Sequence, residues 1–333
     1  VETRALGDTG LVVTPLGLGL AAIGRPGYIT LGRARDLGDA RTPDDLRARC
    51  FAMLDAARAA GVRYVDAARS YGRAEEFLGD WLRARDVPPG ALTVGSKWGY
   101  RYTADWRVDA AVHEEKELSL DRFRTQLAES RALLGRWLDL YEIHSATLES
   151  GVLDDEELLD ALCTARAEGA YRAIGLTLSG PTSAATLERA LTARSHGRRV
   201  FDVVQATFNI LEPSLAPHLA TAHQAGLGII AKEIHANGRL TAKNPRPEDA
   251  ALLTRLTEVA TNTALTIDQL AVAWVLHRPF VTVALSGAAT AEQLTSHLRG
   301  VDHPVDPAAL KPLSTLAEPP DRYWKTRASL PWS

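Results

Sequence analysis

Short runs rich in apolar and β-branched residues alternate with longer amphipathic stretches along the 333-residue sequence, and this alternation limits the fold more than any other feature. The expected strands are Pro15–Gly19, Arg63–Ala67, Ala91–Lys97, Leu138–His144, Tyr171–Thr177, Asp202–Ala206, Gly228–Lys232 and Val281–Leu285. The stretches between them carry helical period and helix punctuation. Thr42-Pro43-Asp44-Asp45 opens one helix, with a capping residue and then proline in the first turn. Its apolar residues Leu46, Cys50, Met53, Leu54 and Ala57 fall on one face, and Gly61 ends it. Segments 154–167, 182–193, 213–225, 266–276 and 290–298 read in the same way. Eight strand-then-helix units point to an α/β fold of the (β/α)8 TIM-barrel type rather than a doubly wound sheet. No composition shift or linker divides the chain, so residues 1–333 are expected to form one domain.

Four segments fall outside the alternation. Residues 1–14 read as a β-hairpin turning at Asp8-Thr9-Gly10, a plug for the bottom of the barrel. Residues 25–41 form a polar, Gly- and Arg-rich loop. Residues 98–118 make a long loop after the third strand, and the tail 317–333 is expected to lie across a surface. A net charge of −3 without strong blocks gives no footprint for nucleic acid. No run of 18 apolar residues suggests a membrane span, and the first residues lack the apolar core of an export signal. Cys50 and Cys163 lie far apart, which suits a reducing cytoplasm rather than a disulfide scaffold.

Several motifs carry little. Gly17-Leu18-Gly19-Leu20-Ala21-Ala22 fits a dinucleotide fingerprint, but Gly24, Pro26 and Gly27 break the helix it would have to open. It reads better as a glycine-rich first barrel strand. No pair of histidines has metal-ligand spacing on an expected helix, so no metal site is expected. There is no G-x-S-x-G elbow. His113 to Glu117 reads as a solvated loop or helix start.

The chemistry concentrates at strand ends, where a barrel carries its active site. Asp66, Lys97 and His144 end three successive strands, and Tyr71 follows Asp66 in the next turn. Singly, each has a structural reading: Asp66 as a turn cap, Lys97 as a solvated strand end, His144 as a core histidine, Tyr71 as loop packing. Together they suit protonation of a carbonyl oxygen. An ammonium near the tyrosine lowers its pKa and makes it a better proton donor, and a carboxylate keeps that lysine charged. A neutral histidine can then hold the carbonyl oxygen. Glu142, two residues before His144, faces the same way and could bond Lys97 or a buried water. The hydride must come from a cofactor.

At these residues the sequence resembles the aldo-keto reductase superfamily. The resemblance rests on Tyr64-Val65-Asp66-Ala67-Ala68-Arg69-Ser70-Tyr71-Gly72, Val94-Gly95-Ser96-Lys97 and Leu138 to His144, and on Val203 to Asn209 and Leu285 to Leu294. It implies a barrel enzyme in which Asp66, Tyr71, Lys97 and His144 are catalytic and Tyr71 is the general acid or base. The helix beginning at Thr290 would offer backbone donors from Ser286, Gly287, Ala289 and Thr290 to a cofactor phosphate, or be an ordinary capped helix. By the same resemblance Gln293 binds the adenosine, Gln205 the nicotinamide carboxamide, and Thr177 is its hydroxyl partner.

Departures from the family pattern are Leu178 for an asparagine, Ser296-His297 for a Glu-Asn pair, and Lys232 near the place of a stacking aromatic residue. Lys232 reads either as a phosphate or ribose ligand or as the partner of Glu233. The resemblance implies NADP(H), with NAD(H) the alternative because no arginine lies within Ser286 to Leu294; His297 and Arg299 are the candidates there. Trp98, Tyr100, Tyr102 and Trp106, with Tyr323 and Trp324 of the tail, either line the substrate pocket or anchor their loops. The tail is similar to that of aldose dehydrogenases. The expected function is NAD(P)H-dependent interconversion of a small carbonyl compound and its alcohol. Alternatives are a sugar 1-dehydrogenase, a cofactor-sensing regulatory protein, and a lyase using Lys97 as a Schiff base.

Overall fold

In the computed structural model, which describes residues 2–333, eight parallel strands close into a barrel in sequence order. They are β1 (Leu16–Gly19), β2 (Tyr64–Asp66), β3 (Thr93–Trp98), β4 (Leu138–Ile143), β5 (Ala173–Leu178), β6 (Val203–Thr207), β7 (Gly228–Lys232) and β8 (Val283–Ser286), and β8 pairs back onto β1. Each expected strand is present. Their residues are buried on both faces, as parallel strands must be when helices cover the sheet.

The covering helices are α1 (Pro43–Ala59), α2 (Ala74–Ala84), α3 (Leu120–Leu134), α4 (Glu156–Ala167), α5 (Ser183–Thr192), α6 (Ala216–Gln224), α7 (Ile267–Leu276) and α8 (Ala291–Asp302). An additional helix, Ala250–Asn262, precedes α7. α2 and α3 are additional to the six helical segments that sequence punctuation identifies. α1 starts where its sequence says. Asp45 N–H donates to Thr42 Oγ1 at 3.2 Å while Thr42 N–H donates to the Asp45 carboxylate at 3.1 Å, and the five apolar residues of its inner face are buried.

The N-terminal residues form the expected plug. Arg4–Ala5 pairs antiparallel with Val12–Val13 around a 3₁₀ turn over Gly7–Thr9. Leu6, Leu11 and Val13 pack beneath the barrel against Tyr64, Leu140, Val203, Ile230 and Val283. Two other loops carry more structure than expected. The 98–118 loop holds a two-stranded ribbon, Tyr100–Tyr102 against Glu114–Lys116. The 25–41 loop contains the helix Arg33–Leu37, and Arg25 and Arg33 in it are buried rather than solvated. The Arg33 guanidinium holds the loop by donating to the carbonyls of Ala22 at 2.8 Å and Pro26 at 2.7 Å. The tail also contains a helix, Pro320–Ala328.

The upper interior of the barrel is polar, and glycines make room for it. A Cβ on Gly17 would lie 2.6 Å from the Tyr64 ring, one on Gly95 2.6 Å from the Tyr64 hydroxyl, and one on Gly175 2.8 Å from Glu142 Cγ. A bulge at Val94/Gly95 places Asp139 as the extra residue on β4, where its carboxylate accepts from Val94 N–H at 3.1 Å. Gly17 to Ala22 lies on β1 and the turn after it, not at a helix start.

Overpacking sets the expected cost of filling this space. Gly95→Ala should destabilise the fold by about 1–3 kcal/mol, read as a lowered Tm. Gly95→Ala combined with Tyr64→Phe should recover part of the loss, because the atom struck by the new methyl is the Tyr64 hydroxyl. Additive losses in the double variant would contradict this packing.

Candidate active site

Strand parity sends Tyr64 and Asp66, Lys97, Glu142 and Gln205 into the barrel, and one buried network joins them. The Lys97 ammonium contacts Asp66 Oδ1 and donates to the Ala67 carbonyl at 2.9 Å. Asp66 Oδ2 accepts from the Tyr64 hydroxyl at 3.0 Å and from Gln205 Nε2 at 2.9 Å. Gln205 Nε2 also donates to Glu142 Oε2 at 3.1 Å, so Glu142 bonds the amide and not Lys97. Glu142 Oε1 is buried without a partner.

Tyr71 sits above this layer in the β2–α2 turn. Gly72 at φ 60° and the close approach of Gly24, whose Cβ would lie 2.4 Å from the Tyr71 carbonyl, let two chain segments cross there. The Lys97 ammonium lies 5.0 Å and the Arg25 guanidinium 5.3 Å from the Tyr71 ring centre. His144 follows β4, meets the Tyr71 ring edge-on at 5.6 Å, and has Nδ1 3.5 Å from Ser70 Oγ.

Burial governs the charge states. The Tyr71 phenol is pushed well above its ordinary value, first by burial and then by the Asp66 carboxylate, with Arg25 pulling the other way. The expected lowering by Lys97 is therefore not found: that ammonium is matched to Asp66, and the cation acting on Tyr71 is Arg25. His144 is held well below the usual histidine value, by burial and then by Lys97 and Lys232, and so is neutral. Burial pushes the Glu142 carboxyl up to about 8 against the pull of Lys97, leaving it protonated at neutral pH.

A cavity of about 510 Å³ opens above the C-terminal ends of the strands. Asp66, Tyr71 and His144 line it, as do Tyr100, Gln205, Lys232, Ser286, Gly287, Ala289, Gln293 and His297, while Lys97 lies just beneath. Other expected site residues do not reach it. Trp98 alternates with Lys97 on β3, so it faces outward and packs on Phe123 at 5.2 Å. Trp106 packs on Phe77 and donates to the Arg41 carbonyl at 2.8 Å, Trp324 packs on Tyr323, and these two anchor their segments. Tyr102 and Tyr323 are likewise absent from the lining. Thr177 Oγ1 accepts from Ser145 N–H at 2.7 Å inside the wall.

Thr290 is the cap of α8, accepting from Gln293 N–H at 3.3 Å. Of the donors expected there, Ala289 N–H is spent, as is the neighbouring Ala288 N–H. Ala288 N–H donates to Ser286 Oγ at 3.2 Å and Ala289 N–H to Gln293 Oε1 at 2.8 Å, whereas Gly287 faces open space. His297 Nδ1 lies 2.8 Å from Ser286 Oγ. Lys232 does not pair with Glu233. It donates to Ser179 Oγ at 2.5 Å, and Glu233 is taken by Arg327 at 2.6 Å.

Sequence reasoning missed one corner of the site. Arg25 is stacked among Tyr28, Tyr71 and Trp332 and ion-paired with Glu114, and Trp332 stacks on His113 at 3.8 Å. Glu114, Lys116, Arg327 and Trp332 line the cavity, so the His113–Glu117 run and the tail both build its wall. The sequence signals for the tail are its aromatic content and its similarity to the tail of aldose dehydrogenases.

The family model for the aldo/keto reductase family matches residues 16–318. The protein tas of Escherichia coli is 25% identical, over 90% of this chain and 93% of its own length. The L-galactose dehydrogenase of Arabidopsis thaliana is 31% identical over 182 residues, which is 53% of this chain and 48% of that protein. The solved holo structure of an aldo-keto reductase from Bacillus halodurans superposes with a TM-score of 0.75 at 20% identity, covering 96% of this chain and 97% of that one.

The protonated Glu142 has a consequence for stability. Its folded pKa is about 8 against 4.5 for a free carboxyl, so above 4.5 the unfolded chain loses a proton that the folded chain keeps. Its contribution is most favourable at low pH and falls as pH rises towards about 8. Glu142→Gln imitates the protonated acid, and Tm measured against pH should fall less steeply over that window, with a gain at the alkaline end. A wild-type slope retained by the variant would contradict the assignment.

Proposed function

The chain belongs to the aldo/keto reductase family, and from that premise we propose that it is an NAD(P)H-dependent oxidoreductase interconverting an aldehyde or ketone and its alcohol, with Tyr71 as the general acid or base. The observation that carries this reading is the convergence of a protonated Tyr71, a neutral His144 and the Lys97–Asp66 pair at a cavity of about 510 Å³ above the strand ends. Candidates to hold the cofactor are Gln205 beside that centre and Ser286, Gly287, Ala289, Gln293 and His297 where β8 meets α8. The open space at Gly287, where a Cβ would touch nothing, fits a bound phosphate group. When bound, the cofactor supplies the hydride.

The chain's own residues handle the proton. Tyr71 donates its phenolic proton to the carbonyl oxygen as negative charge develops there. The phenolate left behind is stabilised by the Arg25 guanidinium, 5.3 Å from the ring centre. Neutral His144 offers a hydrogen bond that orients the same oxygen. Asp66 holds the Lys97 ammonium in place beneath Tyr71. We assign NADP(H) first, with Lys243, ion-paired to Asp36 beside Gln293, as the cation for a 2′-phosphate; NAD(H) is the alternative. The likeness to L-galactose dehydrogenase supports a second reading, oxidation of a sugar hydroxyl by the same centre.

Tyr71→Phe should lower turnover by about 10²–10⁴-fold while NADPH affinity in a fluorescence titration stays close to wild type. Wild-type turnover in that variant would sink the assignment. Because the phenol is held protonated, alcohol oxidation should accelerate with pH between about 7 and 9, whereas carbonyl reduction should stay nearly flat. Steady-state rates in both directions test this, and parallel profiles would contradict it.

A further inference from the structure

Six cationic side chains line the cavity, and most are already matched. Arg25 pairs with Glu114, Lys243 with Asp36 and Arg327 with Glu233. Arg33 directs its donors at backbone carbonyls, and Lys116 stands at the exposed rim. Lys232 differs from all of these. It is the last inward-facing residue of β7, and its recorded polar contact is donation to Ser179 Oγ at 2.5 Å. Among the described residues no carboxylate forms an ion pair with it. An ammonium carries three donors, so two remain for a ligand. Glu233 acts on Lys232 through space only: the backbone turns left-handed there at φ 53°, and its carboxylate accepts from Arg327 and, at 3.3 Å, from Thr207 Oγ1.

The direction of the side chain is informative. Lys232 reaches from β7 past β6 to Ser179, just beyond β5, and therefore away from β8 and the start of α8. Its charge is felt at the proton-transfer centre, since it is one of the cations that hold His144 neutral. Burial pulls Lys232 down to about 8 although the Glu233 carboxylate, which makes no direct ion pair with it, acts the other way, and the neighbouring Arg327 and Lys97 add to the penalty. An anion brought by a ligand would offset that penalty.

We propose that Lys232 and Ser179 form an anion subsite for the substrate, so that the carbonyl compound turned over here carries a carboxylate. The inference rests on the oxidoreductase reading above. Its test is the ratio of kcat/KM for 4-carboxybenzaldehyde to that for its neutral methyl ester, with the full chain and NADPH or NADH. Wild type should favour the acid by roughly tenfold or more, Lys232→Met should lose that preference, and Lys232→Arg should keep it. No preference in wild type, or a preference that survives in Lys232→Met, overturns the proposal. So does a Lys232→Met effect confined to cofactor affinity, which would put the ammonium on the cofactor diphosphate.

If neither aldehyde is reduced, titration with NADPH and NADH judges the oxidoreductase reading, and calorimetry with benzoate and benzamide separately judges the subsite. Benzoate should bind wild type roughly tenfold or more tighter than Lys232→Met, with benzamide indifferent to the change. Benzoate that binds both proteins equally, or neither, overturns the proposal.

Discussion

The contact between the Lys97 ammonium and the Asp66 carboxylate is the interaction on which the rest of the site depends. Both side chains are 1% exposed, so neither charge has water to fall back on. Removing one partner of such a pair typically costs about 3–5 kcal/mol, because the other is left buried and uncompensated. Here the pair is completed by the Ala67 carbonyl, the Tyr64 hydroxyl and the Gln205 amide, which ties β2, β3 and β6 together at one level of the barrel. The glycines at 17, 95 and 175 follow from the same requirement, since a polar layer containing Tyr64 and Glu142 needs space that side chains elsewhere would occupy.

Burial and this pair together set how the residues above behave. The Tyr71 phenol keeps its proton because it is buried and faces the Asp66 carboxylate, and the His144 imidazole stays neutral because it is buried and close to the Lys97 charge. The cation that acts on Tyr71 is Arg25, held by Glu114 from the ribbon loop and packed against Trp332 from the tail. Three segments far apart in sequence thus bear on one tyrosine. This arrangement couples the loops that shape the cavity to the group that does the acid–base work.

The barrel was legible because every strand is an apolar run bounded by punctuation, and α1 because its cap and apolar face agree. Asp66, Lys97 and His144 were legible as polar residues ending such runs. Strand parity decides between the two readings of Trp98: it follows Lys97 on one strand, so the two cannot face the same way. Of the two readings of the helix start at Thr290, the ordinary cap is present, since Thr290 accepts from Gln293 N–H and Gln293 Oε1 from Ala289 N–H, while Gln293 still lines the cavity. Arg25, Glu114 and Trp332 were illegible for a different reason. They meet only through tertiary packing of loops, and no periodicity links positions separated by such lengths of chain.

Tyr71 and His144 can act on a carbonyl in this way only if the cavity takes a nicotinamide cofactor beside them. The direct measurement is a fluorescence titration of the purified protein with NADPH and, separately, with NADH, following the emission of the bound dihydronicotinamide. Saturable binding of at least one, displaced by its oxidised form, is the predicted result. Binding of neither would mean that the spent donors at the start of α8 and the substitutions at Leu178, Lys232 and His297 leave no cofactor site, which would contradict the account.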